Sequence, residues 1–200
     1  MNYSKLLHIE SFVKERHRPK VLVKILIFII VSCLISLLTI LNIDFTETLV
    51  NEGGLSPIEA ESTLPIVRVA STIGSFIVYC FFIALLFLIT WGITKIFKSQ
   101  VSAKVVFAAS LRYAIITTSV GCIVALLQWL FHIDPSIVKI DSLNIFAPKN
   151  NWLGAINITN IISAWFFGIM LHSSLGISQK WSWIGACVAF IIFFVISGLG

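Results

Sequence analysis

Five apolar runs, approximately 21 to 43, 66 to 94, 113 to 131, 156 to 175 and 181 to 199, are close to or above the roughly 20 residues a helix needs to cross a hydrocarbon core about 30 Å thick. That pattern excludes an ordinary soluble fold. Only 12% of the 200 residues are charged, against roughly 25% in soluble domains. In lipid every backbone N–H and C=O must find its partner within the protein, so such runs become helices. The expected architecture is all-α: an integral membrane bundle of five transmembrane helices over residues 21–200, preceded by a short amphipathic N-terminal segment over residues 1–20. The second run is too long for one perpendicular crossing and must tilt or protrude. No small-residue cleavage site follows the first run, so it is expected to stay as a span.

Charge sets the expected orientation. Eleven of the 14 Lys and Arg residues fall on one side of the alternating spans: Lys5, Lys14, Arg16, Arg18, Lys20, Lys24, Lys95, Lys98, Lys104, Arg112 and Lys180. Arg68, Lys139 and Lys149 fall on the other, with Asp44, Glu47, Glu52, Glu59, Glu61, Asp134 and Asp141. The positive-inside bias then places the protein in the cell membrane with a cytoplasmic N-terminus and an extracytoplasmic C-terminus. Lys95, Lys98, Lys104 and Arg112 make a basic cytoplasmic surface. The net charge of +5 belongs to this topology signal and not to nucleic-acid binding.

Local signals refine the picture. Leu6, Ile9, Phe12 and Val13 suit a short amphipathic helix on the inner leaflet, basic residues toward anionic headgroups, and Pro19 marks the start of the first span. Ser56, Pro57 and Glu59 have the order of a capping box and predict a short helix in the first outer loop. The stretch KIFKSQVSAKVVFAASLRYA lacks Gly and Pro and reads as continuing helix at the inner interface. Trp129 and Trp152 flank the second outer loop, as interfacial aromatics do.

The fourth run, NITNIISAWFFGIMLHSS, carries more polar groups than lipid would tolerate on its surface. On a helix Asn160, Ala164, Gly168 and His172 share one face, with Asn157 a turn earlier. Helices associate in lipid through small residues and interhelical hydrogen bonds, which makes this stripe, with Trp165, a packing face. The alternative is a polar cavity walled by Asn157, Asn160 and Ser163. No carboxylate falls within a span, and there is no HExxH, no phosphate-binding loop and no intramembrane Asp pair. The histidines at 8, 17, 132 and 172 are divided between the two sides, and the four cysteines form no CxxC pair. Neither cofactor, metal nor catalysis is expected.

Three stretches resemble the YIP family, named for Ypt/Rab-interacting membrane proteins, in its short bacterial form. RHRPKVLVKILIF is similar to the family's lead-in to its first span, SQVSAKVVFAASLRYAI to the segment before the third, and NIISAWFFGIMLHSSLGISQKWSW to the fourth span and its turn. Within the last, Asn160 and Trp165 match an Asp or Asn five residues before a Trp, and Gly176, Ile177, Ser178 and Lys180 match the turn. A glycine usual after the tryptophan is replaced near Ser173, and a proline of the third span is absent near Thr117. Eukaryotic members act in vesicle trafficking through Rab GTPases, and some bacterial members are linked to ABC-type exporters and protection from antimicrobial peptides. The resemblance therefore implies an accessory or scaffold role, with membrane lipids, other membrane proteins such as an ABC-type exporter, or a second copy of the chain as partners. The rival expectation is a small transporter or lipid-binding protein that uses the polar cavity.

Overall fold

The computed structural model describes residues 4–199 apart from Asp44, Glu52, Ser136 and Lys149. Asp44, Glu52 and Lys149, counted above among the charges of the second side, lie outside the described residues. Among those described, the chain is helical without a strand. Two short helices, α1 (Ser4–Leu7) and α2 (Glu10–His17), precede α3 (Val21–Asn42); α4 (Phe45–Asn51), α5 (Pro57–Ile96) and α6 (Ala103–Leu130) follow. A 3-10 turn at Leu143–Phe146 and the short α7 (Asn151–Ala155) lead into α8 (Ile158–Ile169), which continues as a π-helical segment, Met170–Ser174, before α9 (Gln179–Leu199). Four of these, α3, α5, α6 and α9, are long and apolar enough to cross a membrane. The fourth apolar run instead forms 12 α-helical and five π-helical residues.

Interhelical bonds give the directions. Glu15 ties Lys24 of α3 to Arg112 of α6, while at the far end Asn42 Nδ2 donates to the Ala125 carbonyl at 3.0 Å, so α3 and α6 run parallel. Thr90 of α5 shares a 3.0 Å hydroxyl bond with Ser110 near the start of α6, and Asn160 of α8 bonds Ser197 near the end of α9. Both pairs are therefore antiparallel. The alternation gathers the start of α3, the end of α5, the start of α6, the π segment and the start of α9 at one end of the bundle, together with α1 and α2.

Three local expectations change. The capping box forms, with the Glu59 N–H donating to Ser56 Oγ and the Ser56 N–H to Glu59 Oε2, but its helix does not stop. It passes through Pro65 and merges with the second span into 40 residues, about 60 Å at 1.5 Å per residue. Proline removes the bond to the carbonyl of Glu61, and both residues are exposed, so that carbonyl has somewhere else to turn. The basic stretch after α5 is not continuous helix. Lys98 adopts φ 51°, Ser99 donates its hydroxyl to the Leu175 carbonyl, and Ser102 caps α6 by accepting from the Val105 N–H. These side-chain bonds offer the backbone an exit that a scan for Gly and Pro cannot see.

The N-terminal helix forms over Glu10–His17, yet its apolar side chains lie in protein. Leu7 and Phe12 belong to the main buried cluster with Tyr113, Ile169, Met170, Leu171, Leu175 and Ile177. Most large apolar side chains of α3 and α5 face outward instead, which in lipid costs nothing. Phe12→Ala should weaken the docking of α1 and α2 by about 3 kcal/mol, the lower end for emptying a buried Phe site. Trypsin cleavage after Lys14 or Arg16 in detergent should accelerate about a hundredfold, and an unchanged rate would disprove the docking.

Candidate functional site

The polar residues of the fourth run divide into three jobs. At its start, Asn157 caps α8: its Oδ1 accepts from the Asn160 N–H at 2.6 Å and its Nδ2 donates to the Gly154 carbonyl. Asp141 adds a second cap, accepting from the Thr159 N–H and hydroxyl, and a carboxylate there also complements the helix dipole. Asn160 spends its amide on the Ala155 carbonyl and the Ser197 hydroxyl of α9, and the Ser163 hydroxyl bonds Tyr113 of α6. The three residues predicted to wall a cavity thus have polar atoms committed to a cap, to α9 and to α6.

The middle of the run is a close-packed seam. A Cβ at Gly168 would lie 3.0 Å from Ala186 Cβ, 3.2 Å from the Ser182 carbonyl and 3.4 Å from Leu7 Cδ2. Facing it, a Cβ at Gly185 would meet Leu171 Cδ1 at 2.6 Å. Ala164 is buried one turn earlier on the same face, whereas Trp165 is 39% exposed and donates its indole N–H to the Leu6 carbonyl at 3.2 Å. Ala164 and Trp165 also border an apolar groove shared with Leu6, Trp183 and Phe190.

The last turn holds the N-terminal helices. Ser173 Oγ donates to the Leu7 carbonyl at 2.5 Å and accepts from the Ile9 N–H at 3.2 Å. Ser174 Oγ donates to the Phe12 carbonyl, and Arg16 Nε to the Ser174 carbonyl. His172 Nδ1 is 2.9 Å from the Ile177 carbonyl, and its ring lies edge-on to His8 at 6.5 Å. Gly176, at φ 70°, then ends the helix in a conformation that favours glycine. Among the described residues no three His, Cys, Asp or Glu side chains gather as a metal site.

Of the four basic residues, Lys95, Lys98 and Lys104 are exposed and Arg112 is drawn into the protein. Lys95 Nζ lies over the Trp91 ring at 5.7 Å. Arg112 is half-buried: its Nη1 donates to the Ser11 carbonyl at 2.5 Å and to Glu15 Oε2 at 3.3 Å, and its guanidinium covers the Phe12 ring at 4.3 Å. Glu15, only 4% exposed, also pairs with Lys24. Sequence reading missed Glu15, because in a Lys-Glu-Arg run a single acid looks like part of a solvated face. It missed Ser173 and Ser174 as well, since a hydroxyl near a helix end announces no partner.

Gly168→Ala adds one methyl to the seam and should cost about 1 kcal/mol, while Gly168→Leu overpacks it and should cost 3 kcal/mol or more. Unfolding midpoints in mixed micelles measure both, and a fully stable leucine variant would remove the seam from the packing face.

The comparisons with known proteins bear on the same span of chain. The family model described as Yip1 domain matches residues 8–199. The chain is 28% identical to "Membrane protein YknW" of Bacillus subtilis (strain 168), over 94% of this chain and 85% of that protein. No solved structure matches it. With four helices able to cross a bilayer and a family match from just before α2 to the end of α9, the chain is a multi-pass membrane protein and belongs to the Yip1 family.

Proposed function

We propose that the protein is a non-enzymatic accessory or scaffold of the bacterial cell membrane that holds other membrane proteins, with an ABC-type exporter as the leading partner class. The observation that carries this reading is a contrast among glycines. Gly168, Gly185 and Gly198 are filled by Ala186, Leu171 and Trp152 of the same chain, whereas a Cβ at Gly74 of α5 would meet nothing within 4 Å. Ala70, one turn earlier, is exposed as well. Small residues one turn apart let a second helix approach closely in lipid, and here the chain leaves that notch unfilled. Helix α5 is also the least buried of the long helices, with 11% of its most apolar window inside the protein.

The proposed topology has five crossings, with α8 and its π segment as the fourth. Seventeen or so residues fall a little short of a full bilayer, a mismatch met by local thinning. Eleven of the 14 basic residues then lie at the end occupied by α1 and α2, which the positive-inside bias assigns to the cytoplasm and which leaves the C-terminus outside. A transporter built on Asn157, Asn160 and Ser163 finds little support, because those groups already have partners within the chain.

Extraction of an N-terminally tagged protein in mild detergent, followed by mass spectrometry of what co-purifies, tests the proposal. A stoichiometric membrane protein is expected with the native sequence, and at least a tenfold lower yield of it with Gly74→Leu, whose own stability should be unchanged. Recovery of the chain alone, or of the same partner with Gly74→Leu, would overturn it. Recovery of differently tagged copies of this chain would make the partner a second protomer.

A further inference from the structure

Beside the loop between α2 and α3 lies a half-open recess of about 550 Å³ that the packing of the bundle leaves unexplained. Five Lys and Arg side chains line it, Lys14, Arg18, Lys20, Lys24 and Arg112, with His17, against one carboxylate, Glu15. Lys24 and Arg112 both spend charge on that carboxylate, with their side chains only 14% and 26% exposed. Among the described residues Lys14, Arg18 and Lys20 have no acidic partner. Both hydrogen bonds of Arg112 leave from Nη1, so the Nη2 and Nε donors of its fork are unspent. Lys14, Arg18 and Lys20 are exposed beside the half-buried pair Lys24 and Arg112, so the recess concentrates positive charge at a place an anion can reach. Arginine and lysine together suit a tetrahedral phosphate, the one by its planar fork and the other as a compact charge.

Position narrows the ligand. The recess sits where the chain enters α3, so Lys20 and Lys24 lie at the boundary between a polar linker and a run of apolar residues. Ile27, one turn beyond Lys24 on the same flank, is exposed, as is Val23. A phosphate in the recess would therefore have apolar surface beside it, the arrangement that a phospholipid presents. The geometry points to a binding site for a phosphate-bearing anionic headgroup, held by Arg18, Lys20 and the free face of Arg112, with the acyl chains along α3. The site is independent of the notch on α5.

Delipidated full-length protein in neutral detergent is titrated by native mass spectrometry with phosphatidylglycerol, with phosphatidylcholine, and separately with inorganic phosphate. Phosphatidylglycerol should bind at least tenfold more tightly than phosphatidylcholine. The double variant Arg18→Gln with Lys20→Gln, whose side chains make no internal ion pair, should lose that preference, while Lys95→Gln with Lys98→Gln should keep it. Equal losses in the two double variants would reduce the effect to general surface charge and overturn the site, as would equal binding of the two lipids. Binding of inorganic phosphate alone, with the same dependence on Arg18 and Lys20, would keep the anion site and assign it to a soluble phosphate.

Discussion

One hydroxyl, that of Ser173, holds together two parts of the chain more than 160 residues apart. It donates to the Leu7 carbonyl and accepts from the Ile9 N–H, so the break between α1 and α2 has both backbone groups satisfied in a single step. An unpaired buried backbone group costs about 1–3 kcal/mol, which makes the serine a condition for burying Leu7 and Phe12 at all. Once those two side chains are in place, the N-terminal helices close the basic end of the bundle. The seam at Gly168 then touches Leu7 as well as Ala186, and Trp165 gains a partner at Leu6. The π-helical turn matters here because it widens the last turn of α8 and presents Ser173 and Ser174 on the side where α2 lies.

The second constraint at this end is electrostatic. Glu15 is the only acid buried among the described residues, and it lies against Lys24 and Arg112. Two cations on one carboxylate satisfy its oxygens more fully than a single partner could, which offsets the desolvation a buried charge suffers. The same arrangement joins α2, α3 and α6 at one point. Arg112 works twice, since its stem and guanidinium also cover Phe12, so its charge and its packing cannot be separated by an Arg→Lys exchange.

How much of this could be read from the residues depended on whether a signal was local. The apolar runs that form α3, α5, α6 and α9 and the capping box at Ser56 were legible, because each is fixed by lipid thickness or by a few neighbouring residues. The small face of the fourth run was legible too, since Ala164 and Gly168 repeat at a helical interval. What escaped was whatever required a distant partner. The break at Lys98 rests on Ser99 reaching Leu175, and the burial of Phe12 rests on Ser174. The stripe left two readings for Asn157 and Asn160, a packing face or a cavity wall, because the sequence does not show that the nearby carbonyls of Gly154 and Ala155 take their amide groups.

Lipid gives no reward for covering apolar surface, so an unfilled face in a membrane protein has to be judged by shape and not by hydrophobicity. By that measure the bundle is uneven. Helices α8 and α9 are stitched by a hydrogen bond at one end and by interlocking glycines in the middle, and Trp152 of α7 seals the far end over Gly198. Helix α3 lies along α6, where Cys122 reaches the Val31 carbonyl and Asn42 the Ala125 carbonyl. Helix α5 has one buried hydroxyl bridge, Thr90 to Ser110, near its last turns, and above it Gly74 faces open space. Elsewhere α5 is held as well, by Tyr79 against Ile35, Leu38 and Cys122 and by the buried Ala60 near its start, but the face at Gly74 can accept another helix because no contact of that glycine has to break first.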